Sequence, residues 1–152
     1  MKCVIFDIDG TLADASHRVQ HIKKQPKDWD AFFADMDKDK PIPHIVELLR
    51  LVRSSNFGTP VFVSGRPERY RGVTGKWLRE HNIHNPEYHG LLRLFMRADG
   101  DRRDDDLVKY DILERLRYDG YTPIMCFDDR DRVVKMWRNN NVPCLQVAEG
   151  NF

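Results

Sequence analysis

Short apolar runs alternate with amphipathic segments along the chain, and this alternation restricts the fold more than any other feature of the sequence. The apolar runs predict strands at residues 3–8, 60–63, 91–96, 124–127 and 143–148. The segments between them carry apolar residues at helical spacing, which predicts helices at 42–53, 69–81, 107–118 and 131–139. Strands that alternate with helices in this way predict an α/β fold, in which a parallel sheet has helices on both faces.

One segment, residues 13–41, does not fit the alternation. A chain of 152 residues fits one domain, 1–152. A connection as long as 13–41 is usually functional, so we interpret it as a small cap over the carboxyl edge of the sheet. Its aromatic residues Trp29, Phe32 and Phe33 are spaced as a cap core, and base stacking is the alternative.

The composition indicates a globular protein, with 41% hydrophobic and 32% charged residues. We expect no membrane contact, because no apolar run is long enough for a membrane span and acidic residues come too early for a signal peptide. The three cysteines are odd in number, and two lie in apolar runs. Buried thiols in a reducing compartment are therefore expected, and with them a cytoplasmic location.

The total charge is nearly balanced, at +1, and does not decide whether nucleic acid is a partner. Its distribution is less even: residues 64–103 hold nine basic and five acidic side chains, and residues 104–131 hold nine acidic and four basic. Such a division suits a site for a phosphorylated ligand and a cation. Solvated faces remain the simpler explanation of the charge pattern alone.

Two aspartates follow the first predicted strand, in the sequence DIDGT at residues 7–11. Ligands of open parallel sheets bind beyond the carboxyl ends of the strands, and strand periodicity places Asp7 and Asp9 on one side of the chain. Two carboxylates so close are tolerated if a cation lies between them or if one keeps a proton. Both conditions suit phosphoryl transfer, and solvated turn aspartates are the alternative.

Three further features lie at or between the ends of other predicted strands. Ser64 begins a Ser-Gly-Arg sequence whose hydroxyl and amides can hold phosphoryl oxygens. Asp128 and Asp129 follow the strand at 124–127 and offer the oxygen ligands that Mg²⁺ prefers. Lys109, early in a predicted helix, can neutralise an anionic nucleophile and a phosphoryl group.

With these four motifs in this order, the chain resembles the haloacid dehalogenase superfamily of phosphohydrolases over almost its whole length. The resemblance implies a Rossmann-like, doubly wound parallel sheet with a small cap after the first strand. It also implies Mg²⁺-dependent hydrolysis of phosphomonoesters through an aspartyl-phosphate on Asp7. Asp9 would act as general acid and then as base, while Ser64 and Lys109 would hold the transferring group. The implied metal ligands are Asp7, the backbone carbonyl of Asp9, Asp128 and Asp129.

A narrower resemblance concerns residues 97–109 and 127–152, which are similar to the 3′-phosphatase domain of phage T4-type polynucleotide kinases. It implies a 3′-phosphorylated nucleic-acid end, or a nucleotide, as substrate, and a separate kinase or ligase as a candidate partner. By position it adds four candidate substrate-binding residues, which are Arg18, Arg66, Arg103 and Asp105. Two alternatives stay open, namely a nucleotidase acting on free mononucleotides and a non-catalytic subunit that binds nucleic-acid ends.

The arginines and histidines outside the motifs support finer expectations. We expect Arg66 to contact the transferring phosphate, since it follows the Ser-Gly sequence. One or both of Arg18 and Arg103 are expected to contact a neighbouring phosphate, although either can point into the catalytic pocket instead. His81 and His84 have no cysteine or carboxylate at metal-ligand spacing and are interpreted as surface histidines.

Overall fold

The computed structural model describes all 152 residues and contains seven strands and seven α-helices. The strands are β1 (Lys2–Phe6), β2 (Ala13–Asp14), β3 (Lys40–Pro41), β4 (Thr59–Pro67), β5 (Leu94–Arg97), β6 (Thr122–Asp128) and β7 (Cys144–Gln146). The helices are α1 (Gln20–Lys23), α2 (Trp29–Ala34), α3 (Pro43–Ser54), α4 (Arg71–Glu80), α5 (Pro86–His89), α6 (Asp105–Tyr118) and α7 (Asp131–Asn139). Short 3₁₀ turns lie at Met36–Lys38 and Glu68–Tyr70.

Five strands form one sheet in the order β5-β4-β1-β6-β7, and every neighbouring pair is parallel. The predicted α/β fold with a doubly wound parallel sheet is therefore confirmed. Because β1 is central, the chain proceeds to β4 on one side of it and to β6 on the other. The carboxyl ends of β1, β4 and β6 flank the point where the strand order reverses, which is where such sheets bind ligands.

The central strand β1 is buried on both faces from Cys3 to Phe6, which explains why these four residues are all apolar. Val4 and Phe6 belong to a core on the face covered by α3 and α4, whereas Cys3 and Ile5 belong to a core on the face covered by α6 and α7. Alternate residues of a strand point to opposite faces, so both sets must be apolar. All three cysteines are free and buried.

The predicted boundaries differ from the structure mainly at strand ends. The first strand was predicted to reach Ile8, but β1 ends at Phe6 because the Ile8 carbonyl accepts the amides of Thr11, Leu12 and Ala13 in a tight turn. The strand predicted from residue 91 begins at Leu94. The four-residue helix α5 was not predicted, because its sequence is too short to show a helical period.

Residues 13–41 form a small subdomain between β1 and α3. The antiparallel pair β2–β3 closes its base, and α1, α2 and a 3₁₀ turn lie between these two strands. Phe32 and Phe33 are buried in its own core with Ile22, whereas Trp29 is 41% exposed and packs edge-on against Phe32. The cap-core interpretation therefore applies to the two phenylalanines and only in part to Trp29.

None of the helices is both long enough and apolar enough to cross a membrane.

Helix α3 provides a matched test of the core. Leu49 is fully buried against the sheet, and Leu51 on the same helix is 64% exposed. We expect Leu49→Ala to lower the free energy of unfolding by about 2–5 kcal/mol, because it leaves a cavity in the core. Leu51→Ala is expected to change it by less than about 0.5 kcal/mol. Urea denaturation of both variants measures the difference, and equal losses would contradict the assigned helix face.

Candidate active site

Three buried carboxylates converge at the carboxyl ends of β1 and β6. They belong to Asp7, Asp128 and Asp129, and their ligand oxygens lie within 4.8 Å of one another. The two strands are hydrogen-bonded neighbours, and the Asp7 amide donates to the Phe127 carbonyl at 3.0 Å. The parallel register of β1 and β6 therefore brings together residues more than a hundred positions apart. We call Asp7, Asp128 and Asp129 the acidic cluster.

Lys109 supplies the positive charge that this cluster contacts. It lies one turn after Asp105 on α6, and its Nζ donates to Oδ1 of Asp7 at 2.7 Å and to Oδ2 of Asp128 at 3.0 Å. The Asp105 carboxylate lies 3.4 Å from the same ammonium. Burial alone would lower the pKa of Lys109, but these carboxylates outweigh it and raise the pKa well above its usual value. The lysine therefore stays charged in a buried position.

One ammonium does not neutralise the acidic cluster. Burial, and then repulsion from Asp128 and Asp129, raises the pKa of Asp7 well above its ordinary value although Lys109 opposes the change. Burial and the charge of Asp128 likewise raise the pKa of Asp129 to about 7. Raised carboxyl pKa values mean that a further positive charge would be favourable here. Three clustered carboxylate oxygens are ligands that suit a hard divalent cation such as Mg²⁺.

The two aspartates at the end of β6 have different surroundings. The Asp128 carboxylate is fully engaged: Oδ2 also accepts from Trp137 Nε1 at 3.2 Å, and Oδ1 accepts from the Arg130 amide at 3.2 Å. The Asp129 carboxylate accepts no hydrogen bond from another side chain and lies directly against Gly10. A Cβ at Gly10, whose φ is +83°, would lie 2.1 Å from Oδ2 of Asp129. Asp129 therefore has the freer oxygens for a cation.

Asp9 occupies a different environment from Asp7. Its Oδ1 accepts from Arg66 Nη2 at 2.7 Å and from Arg18 Nη2 at 2.5 Å, and its Oδ2 accepts from Arg66 Nε at 3.0 Å. Burial would raise the pKa of Asp9, but the charges and hydrogen bonds of Arg66 and then Arg18 hold it well below its ordinary value. The repulsion expected within DIDGT is thus relieved for Asp9 by arginines, a solution that the sequence did not indicate. The predicted metal contact of the Asp9 backbone carbonyl stays a prediction.

A residue that the sequence analysis missed, Asp39, organises these arginines. It is buried, and it accepts from His17 Nε2 at 2.8 Å, from Arg18 Nε at 2.7 Å and from Arg66 Nη2 at 3.3 Å. The Trp77 indole donates to its backbone carbonyl at 2.8 Å. Arg18 is therefore buried and directed inward, toward Asp9, which is one of the two orientations left open for it. Nothing in the sequence distinguished Asp39 from the other aspartates that close the cap.

The predicted phosphate loop at the end of β4 is tightly enclosed. Ser64 is buried, and its Oγ accepts from the Arg66 amide at 3.2 Å. Gly65 lies so close to Asp105 that a Cβ would be 2.2 Å from the carboxylate Oδ1. This explains the Ser-Gly-Arg sequence, because a larger residue in the middle would displace Asp105.

Asp105 is held by Arg97, whose contribution the sequence analysis did not recognise. Arg97 Nη2 lies 3.2 Å from Oδ1 of Asp105, and Arg97 Nε donates to the Gly65 carbonyl at 2.8 Å. Arg103, in contrast, points away from the site and pairs with Asp101 at 2.8 Å and with Asp111 at 2.7 Å. Arg103 therefore does not point into the pocket in this structure, and its contact with a substrate phosphate stays a prediction. Its short-range partner Asp101 holds it on the surface of the loop.

Four of the motif residues, Asp7, Asp9, Lys109 and Asp129, line one cavity of about 70 Å³ beneath the cap. The lining includes Asp7 and Asp129 of the acidic cluster, Lys109, Arg97 and Asp105, together with Ile22, Trp29, Phe32 and Phe33 of the cap and Phe152. A cavity of this kind needs about 10–15 Å³ for each water molecule, so the space suits a few waters or one small group. Any larger ligand must lie partly outside the cavity.

The contrast between Asp128 and Asp129 can be tested by calorimetry. Asp129→Asn removes a repelled charge, so we expect the melting temperature of the cation-free protein to rise by about 2–4 °C. The same variant should lose most of the stabilisation that Mg²⁺ gives to the wild type. Asp128→Asn should instead cost about 3 kcal/mol, because it weakens the pairing of Lys109. Equal behaviour of the two variants would contradict the assigned difference.

Gly65 and Gly72 form a second matched pair. Gly65→Ala would collide with Asp105, whereas a Cβ at Gly72 meets nothing within 4 Å. We expect Gly65→Ala to lower stability by about 1–3 kcal/mol and to lower the phosphohydrolase activity that the sequence predicts, because Asp105 and then Lys109 must move. Gly72→Ala should leave activity unchanged and stabilise α4 slightly, since alanine favours helix. Denaturation and phosphate release measure both effects, and an active, stable Gly65→Ala variant would refute the steric argument.

The family model for the polynucleotide kinase PNKP phosphatase domain matches residues 1–152 of this chain. A protein of Autographa californica nuclear polyhedrosis virus, described as a bifunctional polynucleotide kinase/RNA ligase, is 27% identical over 145 residues. This alignment covers 95% of the present chain and 19% of the viral protein.

Solved structures agree with this relationship. A chain in the structure of a Pnkp1/Rnl/Hen1 complex has a TM-score of 0.78 at 27% identity, covering 99% of this chain and 46% of that one. A chain of the Pnkp1/Rnl/Hen1 RNA repair complex has a TM-score of 0.76 at 28% identity, covering 99% of this chain and 43% of that one. The class C acid phosphatase from Bacillus anthracis has a TM-score of 0.60 at 12% identity, covering 97% of this chain and 68% of that one. This similarity shows a shared fold and nothing more.

The chain spans less than half the length of the viral relative and of the two matched chains in the Pnkp1/Rnl/Hen1 complexes. The family model nevertheless covers every residue from 1 to 152, and the predicted motif residues Asp7 and Asp128 meet at one buried lysine, Lys109. The chain therefore belongs to the family of polynucleotide kinase phosphatase domains and is a phosphatase of the haloacid dehalogenase type.

Proposed function

We propose that this phosphatase removes the phosphate from 3′-phosphorylated nucleic-acid ends, and that it does so through an aspartyl-phosphate on Asp7 with Mg²⁺ as cofactor. The observation that carries the proposal is the state of the Asp7 carboxylate. Its Oδ1 accepts from Lys109, its Oδ2 accepts no hydrogen bond, and the residue lines the small cavity. One oxygen is thus oriented by a cation while the other is available to attack phosphorus.

The first half of the reaction forms a bond between Oδ2 of Asp7 and phosphorus and breaks the bond from phosphorus to the leaving 3′-oxygen. In the second half a water oxygen forms a bond to the same phosphorus, and the bond from phosphorus to Oδ2 of Asp7 breaks. Inorganic phosphate leaves, and the Asp7 carboxylate is free again. Lys109 and the loop at Ser64 hold the phosphoryl oxygens. Mg²⁺, held by the acidic cluster, would neutralise the charge that the phosphoryl group brings.

Asp9 is the group that we propose to give a proton to the leaving oxygen and then to take one from water. In the free protein Arg66 and Arg18 lower its pKa, so it is ionised. A phosphoryl group competes for the same guanidinium groups, because arginine binds phosphate and carboxylate with similar geometry. As Arg66 turns to phosphate, the pKa of Asp9 rises, and Asp9 becomes able to carry the proton.

The substrate class rests on the family. The cavity of about 70 Å³ is compatible with a phosphoryl group inside it and the rest of the ligand outside, for a polymer end and for a nucleotide alike. The relatives include a polynucleotide kinase/RNA ligase and chains of RNA repair complexes. Their greater length supports the proposal that this domain works with a kinase or ligase. A pure end-binding subunit is disfavoured, because repelled carboxylates around Lys109 serve no binding role.

A panel of three substrates tests the proposal: a 3′-phosphorylated oligonucleotide, the same oligonucleotide with a 5′-phosphate, and a 3′-mononucleotide. We expect phosphate release from the first to exceed release from the other two by at least about tenfold in kcat/KM. Release should require Mg²⁺ and stop in excess chelator. Equal activity on the oligonucleotide and the mononucleotide would favour the nucleotidase instead.

Asp7→Asn tests the covalent step. The amide cannot form an acyl phosphate, so turnover should fall by at least about a thousandfold while the circular dichroism spectrum stays that of the wild type. Phosphate release at the wild-type rate would exclude Asp7 as nucleophile. Asp30→Asn on the exposed face of the cap is the matched control and should keep full activity.

A further inference from the structure

A second and larger cavity, of about 420 Å³, opens at the edge of the sheet opposite the active site. It is bordered by Lys2 at the start of β1, by Thr59 at the start of β4, by Arg93 just before β5 and by Arg53 near the end of α3. The acidic cluster lies at the carboxyl ends of the strands, so the two cavities share no residue. Its volume is in the range of cavities that hold a small ligand. We call it the basal cavity.

The lining of the basal cavity is basic and contains no acidic residue. Its five basic residues are Lys2, Arg53, His84, His89 and Arg93. None of the five forms a salt bridge with a carboxylate, and Arg53 donates no side-chain hydrogen bond. Most other arginines of the chain pair with a neighbouring acid, as Arg50 does with Glu47 on the same helix as Arg53. The charge of the basal cavity is therefore left uncompensated within the protein.

Arg93 provides a second, independent observation. Its Nε is buried and has no hydrogen-bond partner, one of only three such side-chain atoms in the structure. Its only side-chain hydrogen bond runs from Nη1 to the Leu91 carbonyl at 3.3 Å. A buried guanidinium N–H without an acceptor is costly, so the Arg93 side chain would gain a hydrogen bond by turning Nε toward an anion in the cavity.

The pKa values of the two histidines in the lining agree with an uncompensated positive charge. His84, interpreted from the sequence as a surface residue, is in fact buried, with its Nε2 3.1 Å from the Gly90 carbonyl. Burial and then the charge of Arg53 lower the pKa of His84 and of His89 below the usual value.

The exposed aromatic ring of Tyr88 lines the same cavity as Arg53 and Arg93. Tyr88, in the lining, is 79% exposed, and the neighbouring Leu91 is 77% exposed. Cationic side chains next to an accessible aromatic ring are what single-stranded nucleic acid requires, because the cations hold phosphate and the ring stacks on a base. An inorganic anion would use the cations and leave the ring without a function.

We propose that the basal cavity binds one nucleotide unit of a single-stranded nucleic acid, with Arg53 and Arg93 on its phosphate and Tyr88 against its base. The bound nucleotide unit can belong to the interior of a strand or can be a free nucleotide, because both present the same phosphate and base. The site is separate from the phosphatase reaction, and the inference does not depend on the identity of the hydrolysed substrate.

Binding of an oligonucleotide with a 3′-hydroxyl end tests this directly, because that probe has no phosphomonoester for the active site. The wild type is compared with Arg53→Gln, Arg93→Gln and Tyr88→Ala at two salt concentrations. We expect each arginine variant to bind about five- to tenfold more weakly and to lower the slope of log affinity against log salt by about one. Tyr88→Ala should weaken binding about fivefold or more without changing that slope.

Arg115→Gln is the matched control, because this substitution removes the same charge. Arg115 is an exposed arginine on α6, on the other face of the sheet. It should bind the oligonucleotide as the wild type does. Hydrolysis of a small chromogenic phosphomonoester should be unchanged in all four variants, which verifies that they are folded and keeps this test separate from the proposed phosphatase activity. Wild-type affinity and salt dependence in Arg53→Gln and Arg93→Gln would overturn the proposal.

Histidine side-chain NMR of the wild type gives a second test that needs no variant. Saturation with the oligonucleotide should shift the resonances of His84 and His89, and unmoved resonances would overturn the proposal. Titration with a mononucleotide and with inorganic phosphate identifies the source. A shift by the mononucleotide at micromolar concentration supports a free nucleotide, and a shift by the oligonucleotide alone supports a strand. A shift by inorganic phosphate equal to that of the oligonucleotide would contradict the role of Tyr88.

Discussion

The site depends on a single buried ammonium group shared by carboxylates from separate parts of the chain. Lys109 contacts Asp7 after β1, Asp128 at the end of β6 and Asp105 on its own helix. Without this cation, burial would force the carboxylates to separate or to take up protons. Because the acidic cluster holds more negative charge than one lysine offsets, the same arrangement that stabilises the fold also creates a demand for a second cation.

The cap and the phosphate loop are joined through Asp39. This carboxylate, at the end of the cap, bonds Arg18 from the start of the cap and Arg66 from the end of β4, while Trp77 of α4 holds its carbonyl. The cap is therefore fixed to the sheet by buried ionic contacts as well as by its aromatic core. A small cap attached in this way acts as a wall of the cavity and leaves the opening to be shaped by side chains such as Trp29.

The sequence predicted the parts of the site that local pattern determines. Asp7, Ser64 and Asp128 each follow an apolar run, so topology alone places them at one edge. Asp39 and Arg97 could not be recognised, because their partners are distant in the sequence and no local pattern marks them. His84 was misplaced for a similar reason: it is buried by its contact with the Phe62 ring of β4, a tertiary contact that no local pattern shows.

The pairing of Arg18 and Arg66 with Asp9 and Asp39 has a consequence for how a polyanion finds this protein. Two guanidinium groups face two carboxylates, so this part of the site contributes no net charge, and the adjacent acidic cluster is negative. Diffusional steering depends on net potential over distances comparable with the Debye length, about 8 Å at physiological ionic strength. Before a divalent cation binds, this site therefore presents no net positive charge to an approaching nucleic acid. The rate of first encounter is governed by basic side chains elsewhere on the surface, while the buried arginines act only after contact.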